Sequence, residues 1–181
     1  MPADLSLLRQ PFRADYGNLL KDCASAGFTM RCFFTLRDPW IQARLWRQSR
    51  SGEEVRLGVA MLLEAGAPWL AKVLDGVGPS WGVWATNAVP GNSWHQWGEA
   101  GDAVAFVDGV QSWDTIRGDR GGPGDSFYRH YSELADRRGM RSLASAGDWV
   151  HVQARQESSP RRLFSWPDID VQMRKQFRAV V

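Results

Sequence analysis

Residues 85–104 read ATNAVPGNSWHQWGEAGDAV and carry one of the three histidines in the chain, His95, seven residues before Asp102. The first half is broken by Pro90, Gly91 and Gly98, which is the composition of turns. The second half runs into GDAVAFVDGV, residues 101–110, whose apolar positions alternate as a central strand requires. A turn delivering polar side chains to the start of a buried strand is the element around which the remaining segments arrange themselves.

Upstream, ADYGNLLKDCASA (residues 14–26) has apolar positions at helical spacing, and Gly27 stands where that helix ends. FTMRCFFTL follows, rich in aromatic and β-branched residues, and reads as a strand ending near Arg37. Asp38 and Pro39 have the form of an N-cap and first helical residue for WIQARLWRQSR. Residues 54–78 read as two helical pieces broken around Gly66 and Pro68.

Downstream, RGDRGGPGD (117–125) is a loop, SFYRHYSELADRRG a helix closed by Gly139, and DWVHVQAR a short strand beside the first ones. Beyond residue 153 the chain turns polar and ends in WPDIDVQMRKQFRAVV, a short helix. Helices and strands follow one another without regular alternation, so the expected class is α+β: a small antiparallel sheet with packed helices. The expected organisation is one domain over 1–153 and a C-terminal extension over 154–181.

Composition narrows the partners. The 181 residues are 44% hydrophobic and 23% charged, with a net charge of +2, which fits a folded domain and gives no basic footprint for nucleic acid. The cationic residues near the C-terminus, Arg161, Arg162, Arg174, Lys175 and Arg178, read as a solvated face with weak attraction for an anionic polymer. Two cysteines, Cys23 and Cys32, read as buried free thiols, with a single bridge as the other option. No segment has the length and apolarity of a membrane span, and MPADLSLLRQPF lacks the form of a signal peptide.

Imidazole and carboxylate are zinc ligands, and a catalytic zinc takes three protein ligands and leaves one position open. With His95 and Asp102 in one segment, His151 on the last strand is the candidate third ligand. Asp148, three residues earlier, is then left to act as a base. From spacing alone, ordinary hydrogen-bonded histidines stand beside this reading. His130, on the predicted helix with no partner motif, reads as a surface residue. Of the ten tryptophans, Trp81, Trp84, Trp94 and Trp97 surround the histidine segment, either as packing or as a stacking platform for sugar rings or peptide planes. Glu99 reads as a solvated turn residue, with a second acid near the metal as the other option.

The run TNAVPGNSWHQWGEAGD resembles the signature S-x-H-x-x-G-x-A-x-D of the zinc peptidases that include D-Ala-D-Ala carboxypeptidases and dipeptidases and L-alanyl-D-glutamate endopeptidases, akin in fold to the hedgehog amino-terminal domain. The matching residues are Ser93, His95, Gly98, Ala100 and Asp102. GDWVHVQ is similar to the family's closing D/E-x-x-H segment, and TLRDPWIQARLW to its early arginine motif. The resemblance runs from about residue 14 to 153.

It implies a hedgehog-like peptidase domain over 1–153 binding one zinc ion per chain through His95, Asp102 and His151. In this reading Asp148 is the general base, Arg37 faces the substrate, and Gln42, Ser93 and Trp97 support the site. The Asp-x-x-His form resembles the endopeptidases of phage lysins and cell-wall remodelling enzymes more than the dipeptidases. The implied substrate is peptidoglycan peptide, the implied state a monomer without membrane insertion, and the implied setting the cell wall, reached after release or by non-classical export. A zinc-stabilised binding domain without turnover is the rival reading. The chain departs from the family at Glu99 and Gly101, which stand where apolar residues are usual and predict an irregular or exposed strand. It departs again at residues 54–80, which read as an inserted helical segment, and between Gly139 and Asp148, which looks shortened.

Overall fold

The computed structural model describes residues 3–114 and 122–178. Among them are six α-helices and a small antiparallel sheet of five strands, so the α+β class holds. The helices are α1 (Phe12–Ser25), α2 (Pro39–Arg47), α3 (Gly52–Glu64), α4 (Pro68–Gly76), α5 (Pro123–Arg137) and α6 (Trp166–Phe177). The strands are β1 (Thr29–Phe34), β2 (Ala100–Val107), β3 (Val110–Ser112), β4 (Arg141–Leu143) and β5 (Asp148–Gln153). By contacts the chain divides into two compact units, Met1–Leu36 with Trp97–Gln156, and Arg37–Gln96 with Glu157–Val181.

The first unit holds the sheet, in the order β1-β2-β5-β4 with β3 also paired to β2. Phe12, Tyr16, Leu19 and Cys23 recur at helical spacing along one face of α1 and are all buried. They join Tyr128, Tyr131 and Ala135 of α5 and the sheet residues Met30, Cys32, Ala103, Ala105 and Val152 in one core. Both cysteines are free and buried there, so the bridge is excluded. Burial pushes the Cys23 thiol up to about 12 and the Cys32 thiol up to about 11.

Two expectations about β2 change. The alternating run over 101–110 is not one strand: Asp108 and Gly109 have φ of 50° and 80°, the two-residue hairpin turn that sends the chain back as β3. Nor is the strand exposed at Gly101: Ala100 through Ala105 are buried, and Ala100, Gly101 and Asp102 pair with Gln153, Val152 and His151 of β5, while the pairing with β1 is irregular, slipping by one residue between Cys32 and Phe34 opposite Ala103 and Asp102. The glycine is there for space. A Cβ at residue 101 would lie 2.8 Å from the ring of Tyr16, which fills the volume an apolar side chain would otherwise take. Glu99 is likewise no solvated turn residue: it is buried and paired with Arg155 at 2.5 Å.

The second unit is helical. Asp38 caps α2 by accepting the amide of Ile41, and Ser51 and Glu54 form a capping box on α3. Leu62, Leu70, Leu74, Ile169, Met173 and Phe177 are buried apolar residues of α3, α4 and α6. The terminal helix is thus packed structure, and its Asp170 carboxylate, pushed up by burial, accepts the amide of Leu70 at 2.8 Å at the start of α4. Helix α5 starts at Pro123, three residues before the predicted start, and the loop residues 117–121 lie outside the described residues.

Candidate metal centre

Asp102 and His151 are directly opposite partners in the antiparallel pairing of β2 with β5, which puts their side chains on the same face of the sheet. His151 Nδ1 donates to Asp102 Oδ1 at 3.1 Å, across 49 residues of sequence. His95 comes from a short helical turn, Trp94–Trp97, immediately before β2. Gly98 joins the two with φ of 68°, and a Cβ there would press on the Leu7 carbonyl and the Arg9 backbone. Arg9 fastens this corner by donating its amide to the Gly98 carbonyl at 2.9 Å.

His95, Asp102 and His151 are all buried and offer one ligand atom each within 4.8 Å of one another. A tetrahedral zinc site, with bonds of about 2.0–2.2 Å to nitrogen and oxygen, separates its donors by roughly 3.4 Å. The three groups therefore fit such an ion with small side-chain adjustments. The electrostatics agree. Nε2 of His151 faces the Gln153 Oε1 at 3.1 Å, and the Gln153 amide is committed to the Arg155 carbonyl, so both ring nitrogens meet acceptors. Burial works against the imidazolium, yet the hydrogen bond to Asp102, the charges of Asp102 and Asp148 and the contact with Gln153 outweigh it and raise the ring's pKa. This pocket of acceptors favours positive charge.

Asp148 opens β5 and is exposed. In a regular strand residues 148 and 151 would face opposite ways. Here Ser142 pairs with Val152 and Leu143 with Asp148, so the strand is distorted between them, and the Asp148 charge still acts on His151.

Arg37 donates its backbone amide to the His95 carbonyl at 3.2 Å, and its Nη1 donates to Gln42 Oε1 at 3.0 Å. Gln42 is fully buried on α2, and its Nε2 donates to the Ala88 carbonyl at 2.6 Å and to Thr86 Oγ1 at 3.4 Å. The arginine segment and the Thr86–Ala88 stretch are thereby tied together through one side chain. Ser93 is half-buried, with its carbonyl accepting the Gln96 amide, and Trp97 is buried. His130 is exposed as expected, with its ring against Phe28. Trp94 is buried like Trp97, whereas Trp81 and Trp84 are exposed, so packing accounts for only half of that group. Gln153 was not singled out in the sequence, although it lies two residues after His151 on the same strand face, the spacing that signals a second partner.

No model of a known protein family matches this chain, and no curated protein matches it.

Proposed function

We propose that the chain is a zinc peptidase of the kind that its signature resembles, with a hedgehog-like fold, cutting peptide bonds in peptidoglycan stems or cross-links. The observation that carries this reading is the convergence of His95, Asp102 and His151 on one buried locus, from segments that the resemblance pairs in the same order. The ordered arginine segment adds support, because Arg37 is bonded to the backbone of His95.

Zinc, when bound, supplies a Lewis acid that polarises an amide carbonyl and makes water a better nucleophile near neutral pH. The protein's own residues do the rest. Asp148 is exposed and anionic, so its carboxylate takes a proton from the attacking water and returns it to the leaving amine. Arg37, held by Gln42, presents donors and fixed charge to a substrate carboxylate or a developing oxyanion. Gln153 orients His151 from behind. Ser93 serves as support and not as nucleophile, since the nearest histidine is committed to the metal.

The test is digestion of purified peptidoglycan by wild type, a chelator-treated sample and Asp148→Ala, with products read by mass spectrometry. New amino termini that vanish with chelator, and fall by about 10²–10⁴ in rate with Asp148→Ala, are expected. Intact muropeptides from a protein holding stoichiometric zinc would overturn the peptidase reading in favour of a zinc-stabilised binding domain.

A further inference from the structure

Residues 79–84 lie in the second unit and carry a dense group of exposed apolar side chains. Trp81, Val83 and Trp84 are 91%, 84% and 52% exposed, an unusual density of apolar side chain in four residues. The segment is nonetheless held in place. Ser49 Oγ donates to the Gly82 carbonyl at 2.6 Å, and the Trp84 indole donates to Asn87 Oδ1 at 3.1 Å. The guanidinium of Arg50 lies 4.0 Å from the centre of the Trp46 ring and 3.8 Å from that of Trp84, sandwiched between them. A second guanidinium nitrogen of Arg50 donates to the Thr86 carbonyl at 2.9 Å.

Beside this platform is a cavity of about 420 Å³, within the range of small-ligand sites. Trp81, Ser49, Ser80, Arg47 and Arg50 contribute to its lining, and no carboxylate does so among the described residues. An occupant that matches has a flat apolar face for an indole, many hydrogen-bond acceptors for hydroxyls and guanidinium groups, and no need of an anionic partner. A pyranose ring with acetamido and hydroxyl substituents meets all three conditions. An acyl chain has no use for the arginines and serines, and a concave site is a poor match for a bilayer surface.

We propose that the Trp81–Trp84 platform and its cavity bind the acetamido-sugar backbone of a glycan. Resting on the peptidase reading above, this gives the enzyme a hold on its polymeric substrate apart from the metal centre. The indoles carry the affinity through stacking, and the fixed Arg50–Trp84 stack means that little order must be imposed on binding.

The experiment is cosedimentation of the full chain with chitin, a peptide-free polymer of N-acetylglucosamine, in the presence of chelator. Phospholipid vesicles of equimolar phosphatidylglycerol and phosphatidylethanolamine, and light scattering of the protein alone, run beside it. Wild type should sediment with chitin, Trp81→Ala should weaken binding about tenfold or more, and Trp81→Phe should restore part of it. Because Trp81 is so exposed, the thermal midpoint of Trp81→Ala should match wild type, and its cleavage of small soluble muropeptides should be unchanged. Chitin binding that ignores Trp81→Ala overturns the proposal, as does binding to vesicles in place of chitin, or a dimer that the substitution dissolves. Chitin carries no peptide and the chelator stops turnover, so the two readings fail separately. Trp81-dependent binding without peptidoglycan cleavage sinks only the peptidase, and cleavage with Trp81-independent binding sinks only the platform.

Discussion

Asp102 and His151 meet because their strands pair, whereas Gln42 and Asp170 reach their partners through side chains alone. In the sheet-bearing unit, one register of β2 against β5 places both residues on one face, and the backbone ladder does the aligning. In the helical unit, Gln42 bonds the Ala88 carbonyl and Asp170 the Leu70 amide, 46 and 100 residues away in sequence. Arg47 similarly donates to the carbonyls of Leu74 and Asp75. The first arrangement is cooperative and tolerant of single changes outside its core. The second concentrates its dependence on a few buried polar groups, each costly to leave unmatched.

The largest effect should follow from His151→Ala, which leaves the Asp102 carboxylate in place and removes its opposite partner. Stoichiometric zinc, measured by atomic emission after dialysis, should fall to background together with any peptidase activity, while far-ultraviolet circular dichroism stays that of the folded sheet. Retained stoichiometric zinc would show that register does not build the site. Next comes Gln42→Leu, similar in volume but without the three hydrogen bonds. It should lower stability by about 2–4 kcal/mol in urea unfolding, and an effect under 0.5 kcal/mol, on the order of a surface change, would erase the contrast between the units.

Gly101→Ala probes the sheet side by space instead of by hydrogen bonds. Its new methyl would sit 2.8 Å from the Tyr16 ring, and the expected loss is about 1–3 kcal/mol. That corresponds to a thermal midpoint lower by roughly 2–10 °C in a chain of this size. A neutral outcome would mean that Tyr16 yields readily and that β2 is not tightly clamped.

The smallest effect concerns the two core thiols. With Cys23 pushed up to about 12 and Cys32 to about 11, both stay protonated in the folded chain well after an unfolded cysteine, near 8.5, has ionised. The unfolded state then binds fewer protons, so stability falls as pH rises above about 8.5. The loss should be about 1 kcal/mol per thiol between pH 8 and 9.5. Cys23→Ala/Cys32→Ala should flatten that slope in equilibrium unfolding, and an unchanged slope would assign it to other groups.

Local chemistry decided much of what could be read in advance. The helical spacing of α1, the Asp38-Pro39 start of α2, the break between α3 and α4 and the strand at Asp148 are properties of a few neighbouring residues. So is the grouping of His95 with Asp102, since a turn of seven residues can hardly separate them far. Ligand chemistry offered His151 as a third partner with ordinary hydrogen-bonded histidines as the equal alternative, and only the resemblance favoured the partnership, because no local rule links residues 49 positions apart.

Tertiary structure alone decided the remainder. Asp108 and Gly109 turn the chain into a hairpin within an apolar alternation that reads as a single strand, and β4, at three residues, is too short to show a period. Glu99 is buried and paired with Arg155, and a Cβ at Gly101 would press on Tyr16, facts that belong to the partner and not to the residue. Exposure divides the tryptophans the same way: Trp94 and Trp97 lie inside while Trp81 and Trp84 face solvent, with the same side chain in the same stretch of chain. Sequence carries periodicity, capping and turn chemistry, which act between near neighbours; burial and long-range pairing depend on which surfaces meet, and only the folded chain brings those surfaces together.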